Sequence, residues 1–358
     1  MEPVTHLLSG AVLSRAGLNR TTALATPALV LSAEAADIDF ILLPFSRVEY
    51  FINHRGFTHT FLGVPFMAAL VVGILWLWYR WRVSRGRPPS RPVRWGVLYG
   101  LACGGALSHI LLDFTNNYGV HPLWPFYDRW WSWDIVFIIE PVLLVVLTLA
   151  LVMPALFGLV SDEIGARRKP FRGRGWAIFA LISMVALWGL RDYQHRRALA
   201  MLEARLYDDQ VPARISAYPY WVNPFRWYGV VETGDFYRVL PVDTLASEVD
   251  PQNRAVTWVK PEPSPVLAAV RRQRFVQKYM NWADYTVFEV EHREWGPGAP
   301  PADGAAYVVR FFDLRFMAPD HPWRTRDARP LSGYVKLDPQ LNVVDQNTGP
   351  PPEQYADD

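Results

Sequence analysis

The chain changes character once along its length. Long apolar runs crowd residues 1–190, whereas beyond residue 205 apolar and polar positions alternate over short stretches between Pro- and Gly-rich breaks. Phe61–Tyr79 is 19 residues without a charge, and Trp95–Leu112 is 18 residues interrupted only by His109. Ile135–Val160 carries one charge, Glu140, followed by Pro141. Trp176–Leu190 is 15 residues, short for a hydrocarbon core of ~30 Å, but Arg174 and Arg191 flank it and can snorkel. The four runs predict four membrane spans. Two shorter apolar pieces, Leu7–Leu13 and Ala23–Ala33, are joined by Ser14–Arg20 and predict a helical hairpin dipping into the membrane.

The remainder reads as soluble. Residues 191–204 predict a helix leaving the membrane. A hairpin turning at Thr233–Asp235 follows, then helical spacing over Ser264–Met280. Strand patterns cover Tyr285–Glu294, Ala306–Phe316 and Gly333–Leu337, the last continuing through Val343 and Val344. The expected fold is mixed: an α-helical membrane domain of about four spans plus the hairpin (residues 1–204), a small soluble α+β domain (205–345) and a disordered tail (346–358). His292 and His321 stand alone in the second domain and read as surface residues.

Composition narrows the chemistry. Apolar residues make up 51% of the chain, with 16 Trp and 16 Tyr, and the net charge of +2 gives no basis for a nucleic-acid partner. The single cysteine, Cys103, excludes an intrachain disulfide and a cysteine zinc knuckle. The opening MEPVTHLLSG lacks a basic n-region, so insertion is expected to rely on internal spans.

Loop charge orients the spans. Arg80–Arg94 holds six arginines and no acid, and Ser161–Gly175 holds five basic residues against two acids. The positive-inside rule puts both loops in the cytoplasm and the C-terminal domain outside, although Arg191, Arg196 and Arg197 run against it. With that topology the ionisable residues of the apolar half fall at the outward ends: His6, Asp37, Asp39, His54, His59, His109, Asp113, Asp134 and Glu140. His109 and Asp113 are four apart and share a helix face. Ionisable groups at membrane depth are costly unless paired. Imidazole with carboxylate suits Zn²⁺, and so many ligands could hold one to three ions. His6, Asp39, His54, His59, His109 and Asp113 are the expected ligands. Asp37, Asp134 and Glu140 are expected to orient ligands, bridge ions or act as general base, with Arg55 stabilising an anionic oxygen. Thr58 and Ser108 are expected to hydrogen-bond ligands, and Asn116, Asn117 and Gly119 to shape a turn beside them.

Thr5-His6, Asp37-Ile38-Asp39, HRGFTH (54–59), Ser108-His109…Asp113 and Trp133-Asp134…Glu140-Pro141 together resemble the bacterial inner-membrane, metal-dependent hydrolase family of the YdjM type, over roughly residues 1–160. Ala36 stands where that family usually has Pro, and Thr60 where it has Ser. The resemblance implies a metal-dependent hydrolase of the bacterial inner membrane. The site's outer level, rimmed by Trp124, Trp130, Trp131 and Trp133, faces lipid, although the tryptophans also fit an ordinary interfacial belt; a phosphoester or acyl bond of a lipid or lipid-linked molecule is the expected target. The C-terminal domain reads as a lid, substrate-recruiting or partner-binding module. Two other readings remain open: a scaffold with a structural metal and a partner-binding outer domain, or a transporter using the cluster as an ion pathway.

Overall fold

The computed structural model describes residues 1–163, 173–293, 303–319 and 329–352. His321, the linker 294–302 and the basic loop 164–172 lie outside these residues. The chain forms two compact units: Met1–Ile41 with His54–Tyr193 and Trp221–Pro224, and Leu42–Asn53 with Gln194–Tyr220 and Phe225–Asp358.

The first unit is helical. Helix α1 (Pro3–Arg15) opens on Pro3, while the Glu2 carboxylate accepts from the Thr5 N–H at 3.3 Å, satisfying one donor of the first turn. Helix α2 (Ala25–Glu34) returns against it, and a 3-10 stretch, Ala35–Leu42, carries Asp37 and Asp39 onward. After α3 (Arg47–Asn53), which belongs to the second unit, the chain re-enters through a short turn at Phe57–His59. Long helices follow: α4 (Gly63–Ser84), α5 (Trp95–Thr115), α6 (Pro141–Glu163) and α7 (Arg174–Glu203).

Helices α4, α5 and α7 are long and apolar enough to cross a membrane, and α6 contributes a shorter apolar stretch, Pro141–Phe157. Their outward faces agree with a lipid surrounding. Phe66, Leu70, Ile74 and Leu77 lie exposed along one face of α4, and Val145, Leu149, Val152 and Leu156 along one face of α6. The helical period that should hide such side chains from water instead presents them. Two elements differ from the sequence reading. The third apolar run becomes helical only at Pro141, a residue suited to a first turn but not to a helix interior. The short fourth run and the following helix are one 30-residue helix, α7, because the shift from apolar to charged residues changes its surroundings without breaking its backbone.

Small residues set the spacing of α1, α2 and α5. A Cβ on Gly10 would lie 2.6 Å from the Leu29 carbonyl, and one on Gly105 would overlap Ser32 Oγ. Glycine is required at both crossings, since any side chain would push α2 away from its neighbours. Ala28, Val71, Leu75 and Leu98 then close the α2–α4–α5 core, and Val12, Leu147, Ala150, Ala177 and Ala180 that of α1, α6 and α7.

The second unit is built on antiparallel sheets. One holds β1 (Arg214–Pro219), β2 (Arg226–Glu232), β3 (Phe236–Asp243), β4 (Glu248–Val249) and β5 (Val256–Val259), with β3 paired to both β4 and β5. Helices α8 (Pro265–Arg271) and α9 (Arg274–Trp282) lead to the other, a meander of β6 (Thr286–His292), β7 (Tyr307–Asp313), β8 (Gly333–Leu337) and β9 (Val343–Thr348). Alternation decides the faces: Tyr228 and Val230 of β2 join Val287 and Phe312 in a core between the sheets, while Trp227 and Val231 pack on Ala198 and Leu202 at the end of α7. The expected 264–280 helix is two helices. Val343 and Val344 do not continue β8 but start a separate strand, which runs to Thr348 and so into the segment assigned to the tail; residues 353–358 lie outside the described residues.

The glycine contacts give a paired prediction. Gly105→Ala should destabilise the helical unit by about 1–3 kcal/mol through overpacking against α2. Gly104→Ala, whose Cβ would meet open space, should be neutral or stabilising by up to about 1 kcal/mol. Thermal unfolding of the two variants in detergent checks it; equal melting shifts would contradict the close helix crossing.

Candidate metal centre

The site forms where α5 ends and the 35–42 and 54–59 segments begin. Near the C-terminal end of α5, His109 and Asp113 project from one face, Nε2 to Oδ2 being 3.4 Å, and both are fully buried. The close α2–α5 crossing brings the Ala33 carbonyl to 2.6 Å from His109 Nδ1. A carbonyl only accepts, so Nδ1 carries the proton and Nε2 keeps its lone pair free for a ligand. His6, from α1, stacks on His109 with ring centroids 3.7 Å apart and reaches Asp113 Oδ1 at 3.4 Å.

The HRGFTH segment supplies the opposite wall. His59 Nε2 lies 3.0 Å from His109 Nε2, 3.2 Å from Asp37 Oδ1 and 3.5 Å from Asp113 Oδ2. Thr58 Oγ1 lies 3.0 Å from His59 Nδ1, so the threonine orients the ring as expected. Burial, with Arg55 nearby, holds His59 well below the usual imidazole range, so the ring is neutral at pH 7, the form that ligates. Two sets of groups lie close enough to share an ion: His6, His109 and Asp113, and Asp37, His59 and His109.

Asp39 stands one layer back. Its Oδ2 lies 3.0 Å from His54 Nδ1 and accepts from the Arg55 backbone N–H at 3.0 Å. His54 belongs to neither ligand set, but its side chain, 13% exposed, lies on the accessible side of the cluster. Arg55 adopts a left-handed backbone with φ 55°, a conformation costing about 1–2 kcal/mol for a residue with a Cβ. In that conformation its guanidinium donates to the Gly119 carbonyl at 2.5 Å and to Asp113 Oδ1 at 2.9 Å, and covers the Tyr118 ring at 4.5 Å. An anion clamp directed at substrate was expected; the guanidinium is instead engaged with Asp113 and the loop. The Met1 ammonium also contacts Asp113.

Asn116 holds that loop, its Oδ1 accepting from the Tyr118 N–H at 2.8 Å and its Nδ2 donating to Asp113 Oδ1 at 3.4 Å. Asn117 is buried in the same turn. Ser108 does not serve the ligands: its hydroxyl donates to the Gly105 carbonyl one turn back at 2.7 Å. Asp134, with φ 57°, sits in the loop where Trp133 and Ile135 bond the end of α5, and it joins neither ligand set. Glu140 has a different partner, Arg191 of α7, at 2.7 Å with both side chains fully buried. Two contributors were not visible in the sequence reading. The Ala33 carbonyl is a backbone group that no side-chain pattern reveals. Glu34, three residues before Asp37, buries Oε2 without a hydrogen-bond partner among the described residues; its proximity to the DxD pair was the available signal.

The Glu140–Arg191 pair has a measurable role in tying α6 to α7. Glu140→Gln should cost about 3–5 kcal/mol by removing the carboxylate that faces the buried guanidinium, and Arg191→Met in the same chain should recover most of it. Unfolding of the single and double variants checks this; a Glu140→Gln protein as stable as wild type would remove the structural role.

Comparison with known proteins agrees with the helical half. The uncharacterized protein YfhP of Bacillus subtilis (strain 168) is 28% identical over 114 residues, which is 32% of this chain and 32% of that relative. The chain therefore matches about a third of the length of that curated relative. No solved structure matches the chain. The family model described as YdjM inner membrane protein matches residues 1–198, more than half the chain, and includes every residue of the His/Asp cluster. A membrane protein with this helical half and this constellation belongs to the YdjM inner membrane protein family.

Proposed function

We propose that the protein is an integral-membrane, metal-dependent hydrolase of the zinc type. One observation carries the reading: the Nε2 atoms of His59 and His109 converge with Asp37 and Asp113 oxygens, while His109 Nδ1 is anchored on a backbone carbonyl. Metal-ligating histidines characteristically donate their other ring N–H to such a carbonyl. The donors, neutral imidazole and carboxylate, suit Zn²⁺ or a similar divalent ion. His6, His59, His109, Asp37 and Asp113 would hold it, with His54 and Asp39 beside them. Such an ion supplies Lewis acidity and acidifies water to a pKa of about 7. Asp39 fixes His54 and the Arg55 backbone, and Arg55 offsets part of the negative charge on Asp113.

Location supports a lipid or lipid-linked substrate. The cluster gathers at one end of α4 and α5, whose flanks are apolar and exposed, and the expected bond is a phosphoester or acyl bond at that membrane level. The arginine-rich 80–94 loop lies at the other end of the same helices and favours a multi-pass arrangement with the cluster and the C-terminal unit outside the cytoplasm. Gathering at one end also disfavours an ion pathway through the membrane. A second reading, a structural metal with the C-terminal unit binding a protein partner, is favoured by the full burial of His6, His59, His109 and Asp113. Against it stands the partial exposure of His54 and Asp37, which leaves the cluster one open side.

Elemental mass spectrometry of detergent-purified protein should find a divalent transition metal at near-stoichiometric amount, lost in a His109→Ala/Asp113→Ala variant. Asp39→Asn should keep the metal but bind it about 10–100-fold more weakly. A folded wild type without metal would refute the reading. A metal-loaded protein that cleaves no phospholipid or acyl-lipid vesicle component would leave the structural reading in its place.

A further inference from the structure

Helix α3 lies in sequence between the ligand segments, eight residues after Asp39 and ending immediately before His54, yet it is part of the second unit. It is an independent local element. Ser46 Oγ accepts from the Glu49 N–H at 3.1 Å, the Ser-x-x-Glu capping pattern, and Asn53 Nδ2 donates to the Glu49 carbonyl at 2.8 Å to close the other end. Phe51 is its anchor. The ring lies 5.8 Å from Phe275, 5.4 Å from Tyr279 and 5.4 Å from Trp282, all three buried on α9. At the exposed rim, Arg274 Nη1 lies 3.3 Å from Glu49 Oε1.

The aromatic docking therefore ties the helix that ends one residue before His54 to α9. Arg55 follows in a left-handed backbone that holds Asp39 and Asp113 together through its N–H and its guanidinium. A displaced α3 would reach these residues directly, because no flexible segment separates Asn53 from His54.

We propose that the C-terminal unit sets the geometry of the candidate metal centre through α3, with Phe51 as the positioning residue. The proposal rests on the metal-centre reading above. It gives the C-terminal sheets a role in the site without any side chain of theirs acting as a ligand.

The test uses the full-length protein in detergent, reconstituted with Co²⁺, with three readouts: Co²⁺ affinity, the visible ligand-field spectrum and trypsin cleavage at Arg47. Phe51→Ala should weaken Co²⁺ binding about tenfold, alter the spectrum and open Arg47 to trypsin, while Phe51→Leu should restore most of all three. Glu49→Arg acts at the exposed rim, removing the Arg274 pair and the Asn53 Nδ2 bond to Glu49 Oε2, and serves if Phe51→Ala does not fold. It should weaken Co²⁺ two- to threefold, with Glu49→Arg/Arg274→Glu returning toward wild type. Wild-type affinity and spectrum in Phe51→Ala, or in Glu49→Arg where Phe51→Ala does not fold, overturn the proposal while leaving the metal centre intact. A wild type that binds no Co²⁺ overturns the metal-centre reading, and the proposal with it.

Discussion

The structure depends on the cost of holding carboxylates away from water. Asp113 is fully buried at the end of an apolar helix, and the groups around it answer that burial: the Met1 ammonium, Arg55 at 2.9 Å, His6 and His109 at 3.4 Å and His59 at 3.5 Å. Asp37 and Asp39 stand within the same cluster. Three carboxylates face the Arg55 guanidinium, the Met1 ammonium and a set of imidazole rings. In a medium of low dielectric this balance is unfavourable unless a further positive charge enters. The electrostatics, more than the presence of histidines, is why the cluster reads as a cation site.

Backbone packing makes that balance possible. Gly105 and His109 lie four apart on α5, and Leu29 and Ala33 lie four apart on α2. The glycine permits the approach to Leu29, and one turn further the same approach delivers the Ala33 carbonyl to His109. Removing a single methyl group from the helix interface thus determines which imidazole nitrogen keeps its lone pair. The left-handed turn at Arg55 acts similarly on the other wall, where one residue bonds Asp39 by its backbone and Asp113 by its side chain.

Much of this was legible along the chain because it rests on local spacing. The i, i+4 relation of His109 and Asp113, the hairpin of α1 and α2 and the turn at Thr233–Asp235 follow from periods and turn residues. Other features depend on what a residue meets in space. Ser108 looked like a partner for its neighbour His109 but bonds its own helix. Glu140 was expected to serve the candidate ligands, yet Arg191, far away in sequence, takes its charge. Asp338-Pro339 and Asn342 mark a turn that made the break between β8 and β9 legible as well, although the pairing of the two strands is visible only in the folded sheet.

The placement of α3 also bears on how the protein is made. Phe51 leaves the ribosome 224 residues before Phe275, the first of its aromatic partners. At about 5–20 residues per second that is a wait of roughly 10–45 s. During this interval the helical half can insert while α3 stays without the surface it packs on. Synthesis order thus delivers the aromatic surface of α9 long after α3, with strands β6–β9 still to follow. A chain that stalls before α9 would carry every candidate ligand and still lack the aromatic surface on which Phe51 packs.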